Sequence, residues 1–475
     1  MNRNRHKDFS SATILCALII LNVLGFGRAI AKPVEYEYLT QFEGKYEYSQ
    51  GMTLEIVASD FDNTLYAVID NAKYPLTHQQ GDRFSNIQDI PVIFYRDENH
   101  RITGYRVNEQ SFALLTREIT KSEFFPRREL SDNPENYQYQ TPKAKSDGLA
   151  IGEAKHHFSS PNKLVDMVTA TIRGDYPDVH SILIFKDNKL ILEEYFYGYD
   201  AETPHQMRSA TKTLFGTLVG IAKQSGFIKG TDEKVLPYFA DTYNDIQHIS
   251  SAKQAVSIEH LLRYRHGLDC ENNNPESRGN ELSMMQSDDW IKFTLNLPMA
   301  GTPGERSSYC TGTALVLGRL TELAVGKGLE SFANTHLFSP LGISDYQWRF
   351  APNKTSQTTF NQLYLRPRDM LKFATLYLNR GAWQGKQVLT QQWVKDSFTA
   401  DKGEYGYMWR HKYFVVDGKQ YDSFMASGNG GQKINVWPAH NMITVFTGGN
   451  FNSYQLFGKS TPPNEMIPKF ILSAL

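Results

Sequence analysis

Apolar, strand-like runs at residues 181–185 and 190–196 stand far along the chain from the next such pair, at 433–437 and 442–446. Between them the apolar residues recur at helical spacing, over 258–264, 288–295, 313–324 and 368–379. A strand cannot stay single, because its backbone donors and acceptors need neighbours. The two distant pairs therefore have to join. This predicts an α+β fold: an antiparallel sheet completed by both ends of the domain, with a helical subdomain packed against it. Residues 186–189 are the turn of the first hairpin, a helix is expected over 164–171, and a last helix over 465–474.

Inside this frame one stretch carries chemistry. His205-Gln206-Met207-Arg208-Ser209-Ala210-Thr211-Lys212 runs into the apolar sequence from Thr213 to Ala222, which reads as a loop entering a buried helix with Ser209 at its mouth. Residues three apart on a helix have Cβ atoms about 5–6 Å from each other, so the Ser209 hydroxyl and the Lys212 amine can meet. Burial disfavours an ammonium and lowers its pKa, which makes Lys212 a candidate base for a serine nucleophile. Free N–H groups in the first turn offer half of an oxyanion hole. Of two other Ser-x-x-Lys runs, Ser160 to Lys163 has proline directly after the serine in a Ser/Pro/Asn-rich stretch, and Ser250 to Lys253 lies in a polar connection with no apolar helix behind it. His205, His260 and His266 are alternative partners for a serine, with His260 inside a helix pattern.

The chain's 475 residues exceed one ordinary core and suggest two or three domains. From 36 to 107 short alternating runs are punctuated by turn residues, predicting a small antiparallel β domain, a curled sheet or barrel, within 32–140. Residues 141–162, rich in Lys, Ser, Gly and Pro, read as a linker before a domain at 163–475. Asp60-Phe61-Asp62-Asn63-Thr64 matches the D-x-D-x-T of aspartyl-phosphate phosphatases, which use magnesium. That chemistry needs a parallel α/β domain, whereas the flanks read as hairpin strands, so a polar turn is the stronger reading and the phosphatase an alternative.

Arg3, Arg5, His6 and Lys7 precede an apolar segment at 12–26, and Ala29-Ile30-Ala31 supplies small residues at a cleavage position. We read 1–31 as a secretory signal peptide, with an uncleaved inner-membrane anchor as the alternative. Export to the periplasm or beyond is oxidising, so Cys270 and Cys310 are expected to form a disulfide, two buried thiols being the other possibility. The net charge is −1 and no basic run follows the N-terminus, so nothing points to nucleic acid. Neither H-E-x-x-H nor G-x-S-x-G occurs, and no metal or cofactor is implied.

The order of elements, the Ser209-x-x-Lys212 motif and the segments 258–268, 303–309, 365–369 and 405–409 together resemble the serine hydrolases of the β-lactamase and penicillin-binding protein fold. The likeness is to class C-like members and their esterase and 6-aminohexanoate-dimer hydrolase relatives. It implies an acyl-enzyme on Ser209 and a small-molecule ester or amide substrate. The family's Y-x-N becomes Tyr309-Cys310-Thr311, giving Tyr309 a share in proton transfer as a phenolate favoured by the lysine, and Thr311 a place in substrate binding. The third motif appears as Ser427-Gly428, expected to touch substrate, followed by Asn429, whose backbone N–H would complete the oxyanion hole with that of Ser209; the glycine-rich run leaves that register open by a residue or two. No cation precedes Gly428, which argues against penicillin recognition and transpeptidation and favours a substrate lacking a carboxylate. The resemblance also has Cys270 and Cys310 bracing the floor of the site. A catalytically inactive binding or sensor protein on the same scaffold is the remaining alternative.

Overall fold

The expected sheet is present. In the computed structural model, which describes residues 34–49, 52–69, 72–120, 122–348, 350, 363–452 and 460–475, six strands lie side by side. Their order is Lys189–Tyr195, Val179–Lys186, Met442–Gly448, Gln432–Trp437, Lys419–Gly428 and Arg410–Val416, and every pairing is antiparallel. The two ends meet where Phe185 faces Ile443 and Leu183 faces Val445. These central strands are apolar on both faces, as strands covered by helices on both sides must be. One face carries the helical block, including the buried helices Lys212–Gln224 and Thr311–Val325, which pack on each other. The other face is covered by the helix Asn162–Arg173 and the C-terminal turns.

The helix expected over 164–171 is longer, Asn162–Arg173, and stops at Gly174, whose φ of 91° is the left-handed conformation that ends helices. The single helix expected over 465–474 is instead three short pieces, Pro463–Met466, Ile467–Ile471 and Leu472–Ala474. Pro468 has no N–H to continue the i to i−4 ladder, so the winding changes there.

The N-terminal region forms a closed barrel of eight antiparallel strands, from Gly44–Ser49 to Gln110–Thr116, with Tyr46 facing Leu114 across the closure. Residues 36–42, at the start of the region read as strand-like, are instead helical turns packed on the barrel core. Phe42 lies fully buried against Phe84 and Phe94, with ring centroids 5.1 and 4.8 Å away. Three barrel strands were hidden in the sequence, Ala72–Gln80 by its proline and polar residues, Arg83–Ser85 by its three-residue length and Gln110–Thr116 by a half-exposed alternation. Asp60 and Asp62 sit on the turn between two hairpin strands, where Asp60 pairs with Arg128 at 2.8 Å and Asp62 accepts from the Tyr66 hydroxyl at 2.7 Å. This antiparallel turn is not the parallel α/β setting a phosphoaspartate enzyme needs.

Residues 122–161 run along the large sheet. Ile151 pairs with Leu190, Asp147 bonds the buried Arg368 at 2.8 Å, and Arg127 and Tyr137 both reach Glu194. The segment read as a signal peptide, 1–31, lies outside the described residues. Among the described residues no helix is long and apolar enough to cross a membrane.

Candidate active site

The serine is delivered by a strained turn. His205 and Gln206 pair with Leu365 and Tyr364. Arg208 then takes a φ of 50°, a costly conformation for a residue with a Cβ. A tight turn over Arg208–Thr211 carries Ser209, and the helix Lys212–Gln224 continues from it. The Lys419–Gly428 strand passes so close that a Cβ on Gly428 would meet the Met207 carbonyl oxygen at 2.2 Å. Glycine is required there because the two backbones touch.

Lys212 is 6% exposed, and its Nζ lies 2.8 Å from Ser209 Oγ. Burial lowers its pKa to about 8, with Glu281 pulling weakly the other way. The Tyr309 side chain lines the same cavity as Ser209, and its ring centroid is 5.4 Å from Lys212 Nζ. Tyr264 and Tyr405 flank it at 5.0 and 6.0 Å. The three expected groups therefore converge, but the phenolate expected for Tyr309 is corrected. Burial raises its pKa, outweighing the opposing effect of Ser209, and leaves the phenol protonated. Of the pair, the lysine is the group that a neutral-to-alkaline pH can deprotonate.

All three face an open cavity of about 610 Å³ that Asn272, Glu281, Arg410, Ser427, Gly428, Asn429 and Lys433 also line. Thr311, expected among the substrate contacts, is 2% exposed and stands behind this wall. Its backbone N–H donates to Asn272 Oδ1 at 2.7 Å, and its hydroxyl donates to Glu281 at 2.7 Å and accepts from Asn272 at 2.6 Å. A carboxamide does line the cavity, that of Asn272, and Thr311 holds it there.

A disulfide between Cys270 and Cys310 ties these two segments together, assisted by a 2.9 Å bond from Asn272 N to Tyr309 O. The Cys270–x–Asn272 spacing opposite Cys310–Thr311 was the one signal that could have revealed Asn272. Closing a sequence separation of 40 restricts the unfolded chain. The Cys270→Ser, Cys310→Ser double variant is expected to lose about 2–4 kcal/mol of stability, read as a lower urea midpoint. An unchanged midpoint would contradict this.

The expectation of a third motif without a cation is also corrected. Ser427 faces Lys433 across the hairpin, and Lys433 Nζ donates to Ser427 Oγ. The ammonium enters from the neighbouring strand, where a motif read along one strand does not look. Lys433 is 9% exposed, and burial, then Arg410 and Lys412, lower its pKa to about 8. Arg410 pairs with Glu404 at 2.7 Å.

The histidines are spoken for. His205 bonds His180 at 2.8 Å, His260 caps its own helix at Ser257, and His266 bonds the Ser308 carbonyl at 3.0 Å. None of the three lines the cavity. Among the described residues no group of His, Cys, Asp or Glu is arranged to hold a metal.

An antiparallel sheet between helical layers, with a serine beside a buried lysine and a tyrosine at a cleft, is the scaffold of penicillin-recognising serine hydrolases. The chain belongs to the β-lactamase family, a family of serine hydrolases: the model described as Beta-lactamase matches residues 172–451. A protein of Escherichia coli K12, provisionally named a D-alanyl-D-alanine carboxypeptidase, is 22% identical over 226 residues, 42% of this chain and 51% of that one. The 6-aminohexanoate-dimer hydrolase of Paenarthrobacter ureafaciens is 21% identical over 224 residues, 45% of this chain and 56% of that one. The chain thus spans about half the length of these curated relatives. The crystal structure of a family VIII carboxylesterase shares the fold, with a TM-score of 0.52 at 14% identity, covering 68% of this chain and 99% of that one.

Proposed function

We propose that the protein hydrolyses an ester or amide through an acyl-enzyme on Ser209. The neutral Lys212 amine takes the hydroxyl proton as Oγ bonds to the substrate carbonyl carbon. As the scissile bond breaks, the protonated Tyr309 passes its proton to the departing alkoxide or amine and is reprotonated by the Lys212 ammonium, while the oxyanion lies against the backbone N–H groups of Ser209 and Asn429. Water then attacks the acyl carbon and gives a proton to the neutral Lys212, and that proton returns to Ser209 Oγ as the acyl–oxygen bond breaks. The observation that carries this reading is the 2.8 Å contact of Ser209 Oγ with a lysine of lowered pKa at the edge of an open cavity. A fluorophosphonate probe is expected to label the full chain at Ser209, and p-nitrophenyl esters to be turned over. No label and no turnover would favour the inactive binding protein.

The substrate class follows from the cationic wall. Lys433 is nine-tenths buried, and the charges acting on it, Arg410 and Lys412, are both positive. A buried charge left without an anion is costly, so a substrate bearing a carboxylate has a place to bind. The names of the relatives, an amide hydrolase and a carboxylesterase, agree with ester or amide cleavage. Lys433→Met is expected to raise KM for a dicarboxylic hemi-ester such as mono-p-nitrophenyl glutarate about tenfold or more, a charged hydrogen bond lost. A neutral p-nitrophenyl ester is expected to change little. Equal effects on both esters would remove the carboxylate from the assignment.

We read the barrel as a separate domain and the enzyme as exported. The N-terminal basic–apolar–small pattern and the disulfide support export, since disulfides persist in oxidising compartments.

A further inference from the structure

The barrel does not stand apart from the cleft. Its strand Ala72–Gln80 carries Tyr74, whose ring packs against the barrel core while its hydroxyl accepts from Asn452 Nδ2 at 3.3 Å. Asn452 grips Asn429 twice: its Oδ1 accepts from Asn429 Nδ2 at 2.6 Å, and its backbone N–H donates to Asn429 Oδ1 at 2.8 Å. Asn450 N donates to the Gly430 carbonyl at 3.0 Å, and the Phe451 ring lies against Gly430 and under the Arg208 guanidinium, 4.5 Å away. Residues 450–452 therefore lie between the barrel and the loop that lines the cavity.

The start of that segment is anchored on the same side. Gly449 N donates to the Asp178 carbonyl at 2.8 Å, and Asp178 N donates to the Tyr197 hydroxyl at 3.1 Å. Lys73, next to Tyr74 on the barrel strand, sits 4.8 Å from the Tyr197 ring. Two consecutive barrel residues thus back the two ends of 449–452.

The loop needs such support. Asn429 is flanked by Gly428, and by Gly430 and Gly431 with φ of 93° and 100°, residues that leave the backbone free to turn. An oxyanion donor is effective only if its direction is set before the reaction. Gln432 Nε2 donates to the Asn429 carbonyl at 3.2 Å; Asn452, itself at a φ of 62°, holds the Asn429 side chain, and Tyr74 is the barrel group that reaches Asn452.

We propose that Tyr74 and Asn452 are positioning residues through which the barrel holds the Asn429 peptide in the oxyanion hole. This rests on the reading of Ser209 as nucleophile and of the Asn429 peptide as donor. The barrel is then part of the catalytic apparatus, acting without touching substrate.

The test uses the full-length chain with a neutral p-nitrophenyl ester and measures kcat, KM and the rate of Ser209 phosphonylation by a fluorophosphonate. Asn452→Ala is expected to lower kcat and the phosphonylation rate by roughly 30–100-fold, as a misplaced donor does. Tyr74→Phe keeps the ring and is expected to lower both about 3–10-fold, because one hydrogen bond near 1 kcal/mol is removed. KM and the thermal midpoint stay near the parent's in both. Because Tyr74 acts through Asn452, the double variant is expected to match Asn452→Ala alone. Full kcat in Tyr74→Phe, or losses that multiply in the double variant, would overturn the relay and leave the hydrolase standing. If either variant has a lowered midpoint, the non-additivity in the phosphonylation rate, taken well below that midpoint, decides between the same two outcomes. A parent chain that is neither labelled nor active would overturn the hydrolase reading and the relay together.

Discussion

Replacing Ser209 with alanine is expected to reduce ester turnover by on the order of 10⁴-fold or more, to abolish fluorophosphonate labelling, and to leave the fold intact. The size follows from the role proposed for the hydroxyl, which is to form the covalent intermediate. The histidines that could have served another serine are engaged elsewhere, His205 with His180 and His266 with the Ser308 carbonyl. The variant should unfold with the same urea midpoint as the parent, because Ser209 sits at the surface of a cavity and not in the core. Retention of more than about a hundredth of the parent kcat by Ser209→Ala, after purification away from host esterases, would show that another residue is the nucleophile.

The second large effect concerns Lys212. Its ammonium is disfavoured by burial, so the folded pKa falls from the ordinary 10.5 to about 8. The form that accepts a proton is the neutral amine, present above that pKa and absent below it. The rate of acylation should therefore rise with pH through about 8 and level off above it. Lys212→Met removes the base and is expected to cost about 10²–10⁴-fold in kcat/KM, and the rise near pH 8 should vanish with it. Tyr309→Phe should also be slow but keep the rise, since burial holds the phenol protonated across this range. Lys433 titrates near the same pH, so the profile has to be repeated in Lys433→Met with a neutral ester, where the rise should persist. A profile that survives in Lys212→Met would assign the proton to another group.

Both predictions depend on which groups the amine reaches, more than on spacing or burial alone: Lys253 is 2% exposed and burial lowers its pKa to about 8 as well. Three residues on one helical face let Ser209 and Lys212 meet, but the same spacing at 250–253 does nothing of the kind. There Lys253 reaches the Gln247 carbonyl at 2.6 Å, and Ser250 caps a four-residue helix. What distinguishes Ser209 is the apolar helix that follows, which the sequence makes plain. Tyr309 was legible through the family resemblance, as the first residue of the altered motif Tyr309-Cys310-Thr311. Its protonation state was not, because that turns on how much water the folded cleft excludes.

The other parts of the cleft escaped a linear reading because they are brought together across strands and loops. Lys433 lies opposite Ser427 only because a hairpin sets that register. Asn272 faces the cavity because a disulfide and Thr311 hold it there. Tyr74 meets Asn452 from another part of the chain altogether. None of these pairings leaves a periodicity or a motif behind.

By itself, the sequence determined the meeting of Ser209 with Lys212, the sheet built from both ends of the large domain, the β character of the N-terminal region and the pair of cysteines. These rest on helical and strand periodicity, on turn residues and on the chemistry of side chains within a few positions of one another. Only the tertiary structure decided where the second cation stands, which carboxamide faces the cavity, how far burial raises the pKa of the phenol and that the barrel reaches the segment holding Asn429. The physical reason is that register between strands and the loss of water around a group are properties of the packed chain, with no counterpart in the order of its residues.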